Sequence, residues 1–232
     1  MEGHIIQQPG KVLTSVMSTR KLFAPLAFSL MCALGLTPGV ANAAPTPAPL
    51  IHVYPGMSIA IPSSGQKCSL TAPLNDFYAM TAAHCILADN ALVIDGITRI
   101  PIGIIEKHNY FIDRAYIKLT SNTIAHVPQF STDKLAIGDH LVVKSGMNRR
   151  IEGSLTDQPT WLNFFGPIPL PIYPIFHQAR ARMCSQPGDS GAPVFYKGMV
   201  VGMVTGNHDG AGCSPSTRVA FSSFADLPPQ HM

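Results

Sequence analysis

The sequence predicts an all-β protein, on three observations. Short runs of β-forming residues recur along the chain, broken by Gly, Pro, Asn and Asp. No long stretch carries apolar residues at helical spacing. Charged residues make up only 12% of the 232, about half the usual share, too few for long solvated helices. The runs fall at 58–61, 77–81, 91–94, 100–105, 115–119, 141–144, 193–196, 199–205 and 217–221. Each is of strand length, and many short, closely spaced strands argue for a sandwich or barrels. The one stretch with any helical spacing is 222–227. The length suits one ordinary domain or two small, tightly packed barrels. A formal charge of +3 with no basic run gives no reason to invoke nucleic acid, and no internal repeat is present.

Taken in order, the chain opens on a targeting segment. Arg20 and Lys21 precede an apolar run from Leu22 to Leu36, and Ala41, Asn42 and Ala43 supply a small-x-small exit. Charged end, short apolar core and small-residue exit describe a secretory signal peptide over residues 1–43, with Met17 a candidate true start. The run is shorter than the ~20 residues that span a bilayer and Pro25 interrupts it, so no stable membrane insertion of the mature chain is expected. Removing residues 1–43 takes Cys32 and leaves Cys68, Cys85, Cys184 and Cys213. An even number in an exported chain implies disulfides, with three possible pairings.

Residues 44–56 form a Pro-rich leader, expected to be extended or disordered. The rest, 57–232, reads as one domain of two halves, about 57–127 and 138–227, joined at a hinge near 127–138 where polar and turn residues cluster. The segment 159–176 stands apart, with five prolines and Trp161, Phe164, Phe165, Tyr173 and Phe176. Proline cannot donate to a central ladder, so this is loop or edge structure. Its aromatics either fold back onto the barrel or form a substrate-facing wall or attachment surface.

Three clusters carry chemistry. His84, in Thr81-Ala82-Ala83-His84-Cys85, follows an apolar run at a strand end, where an imidazole fixed by a neighbouring disulfide can act as a general base. Alone, a His beside a Cys is more often structural. Ser190 lies in Gly188-Asp189-Ser190-Gly191-Ala192-Pro193, where glycines permit a tight turn that exposes the hydroxyl and lets backbone N–H groups converge. Alone, that is any β-turn. Asp113 opens a run whose residues 113, 115, 117 and 119 share a face, and a buried carboxylate there needs a partner such as an imidazole N–H. The remaining histidines, His52, His108, His126, His140, His177, His208 and His231, show no metal-ligand spacing and read as surface or core residues.

Together, in the order His, Asp, Ser, the three clusters resemble the trypsin/chymotrypsin-like serine proteases, in particular the compact bacterial branch of streptogrisins and α-lytic protease. The run Cys184-Ser185-Gln186-Pro187-Gly188-Asp189-Ser190, with two more residues between Cys and Ser than animal enzymes carry, points to that branch. The resemblance spans roughly 57–221 and is weak between motifs. It implies two packed antiparallel six-stranded β-barrels with the active site in the cleft between them, and bridges Cys68–Cys85 and Cys184–Cys213. It also implies a secreted, monomeric endopeptidase acting on a polypeptide, with no metal or organic cofactor. Ser190 would be the nucleophile, His84 the base and Asp113 its orienting acid, with Gly188 and Ser190 N–H groups forming the oxyanion hole. Thr205, Gly206 and Asn207 match the strand that pairs with substrate and lines the specificity pocket.

Several positions depart from the pattern. Ala192 replaces a glycine, at a cost of about 1 kcal/mol if its φ is positive. No activation site precedes the domain, so Asp189 needs an internal cation, for which Lys144, Arg149 and Arg150 are candidates. Arg182, two residues before Cys184, stands where trypsin carries its pocket aspartate. A cation there would repel Lys and Arg substrates and leave an apolar residue as the default; the alternatives are an acidic preference, without the usual support at Val204, and an Arg182 that simply points to solvent. The competing reading is a weak or inactive homologue, a secreted binding protein presenting 159–176 to a partner.

Overall fold

The computed structural model describes residues 49–164, 173–207 and 213–225. The signal segment 1–43 and the leader up to residue 48 lie outside them. Among the described residues there is no α-helix, and none is long and apolar enough to cross a membrane.

The N-terminal half is one curled antiparallel sheet in the order β3-β2-β6-β7-β8-β5-β4. Its strands are β2 Ser58–Ile61, β3 Gln66–Ser69, β4 Ala72–Pro73, β5 Tyr78–Thr81, β6 Leu92–Asp95, β7 Pro101–Asn109 and β8 Arg114–Leu119. The sheet's two end strands, β3 and β4, are consecutive in the chain. Between them Leu70 donates to Met57 O at 2.9 Å and Thr71 to Met80 O at 2.8 Å. The seven elements are therefore six strands with one bent segment counted twice, and chain continuity at the bend curls the sheet round. Ile59, Ile61, Leu70, Met80, Ile102, Ile105 and Ile117 fill the core.

The C-terminal half is a closed barrel, β10-β11-β12-β15-β14-β13. Its strands are β10 His140–Ser145, β11 Arg149–Phe164, β12 Tyr173–Arg182, β13 Pro193–Tyr196, β14 Met199–Asn207 and β15 Arg218–Ser223. Leu141, Val143, Ala181, Val194, Val204 and Phe221 pack inside it. Val200, Met203 and Phe224 instead join the N-terminal core, so the halves share a buried seam. This is the two-barrel fold expected from the resemblance.

Four expectations are refined. The helical reading of 222–227 fails for Ser222 and Ser223, which finish β15; residues 226 and 227 lie outside the described residues. The end of the leader is strand: β1 Ile51–Val53 pairs in parallel with β9 Thr123–Ala125, burying Ile51 and Val53. The connection between the halves is tied down, with Ser131 donating to Val200 O at 3.0 Å and Val200 to Gln129 O at 2.9 Å. Most of segment 159–176 is hairpin rather than loop. Thr160↔Gln178 through Phe164↔Tyr173 pair across bulges, and residues 165–172 lie outside the described residues. From Leu162↔Ile175 outward, β11 and β12 pair only with each other among the described residues, so each is there an edge that tolerates proline. Trp161 is 56% and Phe176 43% exposed, and both line a cavity with Leu135, Leu155 and Ala179 of the C-terminal core.

Candidate active site

His84 sits on a short 3-10 turn, Ala83–Cys85, directly after β5. Three constraints fix that turn. Thr81 pairs with Ala115 of β8, Ala83 N–H donates to Asp113 O at 3.2 Å, and Cys85 is bridged to Cys68 of β3. The imidazole is only 10% exposed.

Asp113 owes its position to local chain chemistry. The Asn109 side chain accepts from Phe111 N–H at 2.9 Å and caps a second 3-10 turn, Tyr110–Ile112. Asp113 ends that turn in the left-handed region, φ 52, which aspartate tolerates better than most residues. Its carboxylate is fully buried and faces His84. Nδ1 of His84 lies 3.0 Å from both Oδ1 and Oδ2, and the His84 backbone N–H donates to Oδ1 at 3.0 Å. A carboxylate only accepts, so Nδ1 carries a proton; in the neutral imidazole the lone pair then lies on Nε2. Burial, then the charges of Asp89 and Asp113, push the Tyr110 phenol upward; its hydroxyl donates to Ile86 O at 2.9 Å.

The next residue, Arg114, is buried across the seam. Nη2 donates to Ser223 O at 3.3 Å and the guanidinium lies 4.9 Å from the Phe224 ring. Burial lowers its pKa, and Tyr116 and Asp113 oppose that. Ser222 Oγ donates to Ile112 O at 3.3 Å, so β15 of one barrel holds both sides of the Asp113 turn of the other.

The Ser190 loop docks on the bend between β3 and β5. Ser69 N–H donates to Ser190 O at 2.7 Å, Ser69 Oγ to Gly188 O at 2.8 Å, and Thr71 Oγ1 to Gly191 O at 2.8 Å. Gly191 has φ +82, and a Cβ there would stand 2.3 Å from Ser69 O and 3.2 Å from Ala82 N, two residues before His84. No other residue fits, and the absence of a side chain lets the backbone of the loop close on Ser69 and Ala82. Gly188 has φ +98 with Met147 packed where its Cβ would be. The N–H groups of Gly188 and Ser190 have no hydrogen-bond partner among the described residues, whereas Asp189, Gly191 and Ala192 each donate to a carbonyl. Two unpaired donors one residue apart, one of them the serine's own, are the kind of pair an oxyanion requires.

Beneath the loop, Asp189 is fully buried. It accepts from Arg149 Nη1 at 2.5 Å, from Ser145 Oγ, and from Gln186 N–H at 2.7 Å. Of the three candidate cations, Arg149 is the one placed there; Arg150 pairs with Glu152 and Lys144 lies over Phe195. Ala192 is absent from the positive-φ residues and is buried in the barrel, so the conditional backbone cost does not arise.

The remaining sequence candidates fall around this loop. The described bridges are Cys68–Cys85 and Cys184–Cys213. Thr205 is buried at a β14 bulge with its hydroxyl unpartnered in hydrogen bonding, Gly206 pairs with Ala220, and Asn207 with Val219. The Asn207 side chain reaches Ser185. Arg182 is exposed at the end of β12, paired with Ser154 and Arg218. It lines a 560 Å³ cavity with Thr156, Asp157, Pro215, Ser216 and Arg218, and no ion pair or hydrogen bond joins it to residues 205–207. Ser69, Ser145 and Ser185 carried no signal in the sequence, since lone serines outside a motif have none. Among the described residues no group of three metal-ligating side chains occurs.

No family model and no curated relative matches the chain. Solved structures do. Cellulomonas bogoriensis chymotrypsin is 15% identical, covering 78% of this chain and 96% of that one at a TM-score of 0.62. A glutamic acid specific serine protease is 18% identical, covering 78% and 97%, with a TM-score of 0.61. Nocardiopsis protease is 18% identical, covering 76% and 94%, with a TM-score of 0.58. At these identities the likeness is one of fold, and the fold is that of the bacterial chymotrypsin-like serine proteases.

Proposed function

We propose that this chain is a secreted serine endopeptidase that hydrolyses peptide bonds through an acyl-enzyme on Ser190. The observation that carries this reading is the His84–Asp113 contact beside a serine loop with two unpaired N–H groups. With Nδ1 protonated and held by Asp113, Nε2 of His84 accepts the proton as Ser190 Oγ bonds to the scissile carbonyl carbon. The carbonyl oxygen becomes an oxyanion and takes hydrogen bonds from Gly188 and Ser190 N–H, each worth on the order of 3–4 kcal/mol. The C–N bond then breaks, and His84 returns its proton to the leaving amine. Water repeats the sequence on the ester and frees Ser190. Asp113 stabilises the imidazolium without taking its proton.

Substrate has a natural place to bind. β13 pairs with β14 only as far as Met203, and Val204 makes the last backbone bonds on that edge, to Gly191 and Ala192. From Thr205 to Asn207 this edge has no backbone partner among the described residues, and an extended peptide can add to it as a strand. Export is supported by the signal-like residues 1–43 and by two disulfides, which persist in oxidising compartments. A fluorophosphonate probe should label the purified protein stoichiometrically, and Ser190→Ala should abolish labelling. Full labelling of the alanine variant would remove Ser190 as the nucleophile.

A further inference from the structure

At the free end of β14 one side chain, that of Asn207, reaches across to the segment leading into the Ser190 loop. Asn207 Oδ1 accepts from both the backbone N–H and the hydroxyl of Ser185, each at 2.9 Å. Asn207 Nδ2 donates to Ser185 O, also at 2.9 Å. The amide thus satisfies both backbone groups of Ser185, pairing with it as a neighbouring strand would. Rotating it out forfeits three hydrogen bonds. Next to Ser185, Cys184 is bridged to Cys213, with Cα atoms 5.5 Å apart.

We propose that Asn207 is a specificity-determining bar that limits the residue donating the scissile carbonyl, P1, to glycine and alanine. The inference rests on the endopeptidase reading above. A carbonyl oxygen held by Gly188 and Ser190 N–H, on a peptide paired to the Thr205–Asn207 edge, places the P1 Cβ between these two segments. One asparagine side chain bridges them. A methyl group stops short of the amide, whereas a leucine or phenylalanine side chain must displace it and strand the Ser185 N–H and carbonyl. A site whose own polar groups lose their partners rejects the misfit strongly.

The test is cleavage of a mixed peptide library by the wild-type protein, with fluorophosphonate labelling run in parallel. The expected result is dominant cutting after Ala and Gly, together with labelling. Asn207→Gly should raise the kcat/KM ratio of Phe to Ala at P1 by about tenfold or more. Labelling accompanied by dominant wild-type cleavage after Phe, Leu or a charged residue overturns the bar and leaves the endopeptidase reading standing. An unlabelled wild-type protein overturns both. If Asn207→Gly does not fold, the wild-type library profile decides alone.

Discussion

The guanidinium of Arg149 holds the buried carboxylate of Asp189, Nη1 to Oδ2 at 2.5 Å. Asp189 separates Gly188 from Ser190, so this one pair fixes both donors proposed for the oxyanion. Removing one partner of a buried pair leaves an uncompensated charge and costs roughly 3–5 kcal/mol; with Arg149 30% exposed, water offsets part of that. Arg149→Met should therefore lower the urea midpoint and slow fluorophosphonate labelling by about 10²–10³, the effect of a misplaced oxyanion donor. Arg149→Met with Asp189→Asn should recover stability more than labelling. Wild-type labelling in Arg149→Met would show that the pair does not shape the loop.

The same pair gives Asp189 an internal cation, so activity is expected without a new amino terminus to neutralise it. Protein acetylated at its N-terminus should label at the unmodified rate. If labelling appears only after cleavage downstream of Tyr54, Arg149 is not the group that sets the loop.

If His84 and Asp113 act as the proposed unit, their variants should separate in size. His84→Ala should lower kcat by about 10⁶. Asp113→Asn should lower it by about 10⁴, because an amide in place of the carboxylate stabilises the wrong tautomer. Asp113→Asn should also lower thermal stability, since the carboxylate accepts from the His84 N–H as well as from the ring. Peptide hydrolysis by His84→Ala at near wild-type turnover would end the assignment.

The parts of this molecule legible in the sequence are those whose chemistry is local. Strands 58–61 and 193–196 end where their turn residues end them, and the runs around His84 and Ser190 are contiguous motifs. β1 was not legible, because three residues after a Pro-rich stretch become strand only through Thr123–Ala125, far along the chain. The hairpin was half legible. Five prolines exclude a central strand, but not paired edges, and Asn163↔Pro174 shows the pairing surviving proline. Arg149 could be narrowed to three cations and no further, since β10 and β11 turn it under Asp189 only in three dimensions. The Asn207–Ser185 lock was half legible: Asn207 fell in the segment matched to the substrate-pairing strand, but Ser185 carried no signal, and their 22-residue separation matches no motif.

Gly191 offers the most direct test of how the two halves meet. Its φ of +82 costs an L-residue about 1–2 kcal/mol on backbone grounds. A methyl group would in addition stand 2.3 Å from Ser69 O and 2.6 Å from Thr81 Oγ1, and neither neighbour is free to move. Ser69 donates to Ser190 O and accepts from Thr81 Oγ1, and β5 leads straight into the His84 turn. The Ser190 loop must therefore lift off the N-terminal barrel to admit the methyl. Gly191→Ala should lower the melting temperature and abolish fluorophosphonate labelling. Ala192→Gly, at an ordinary backbone position one residue on, should leave labelling intact while losing a small buried contact in the barrel. Equal labelling of Gly191→Ala and wild type would mean that the loop does not depend on its docking against Ser69, and that Ser190 is positioned by its own barrel alone.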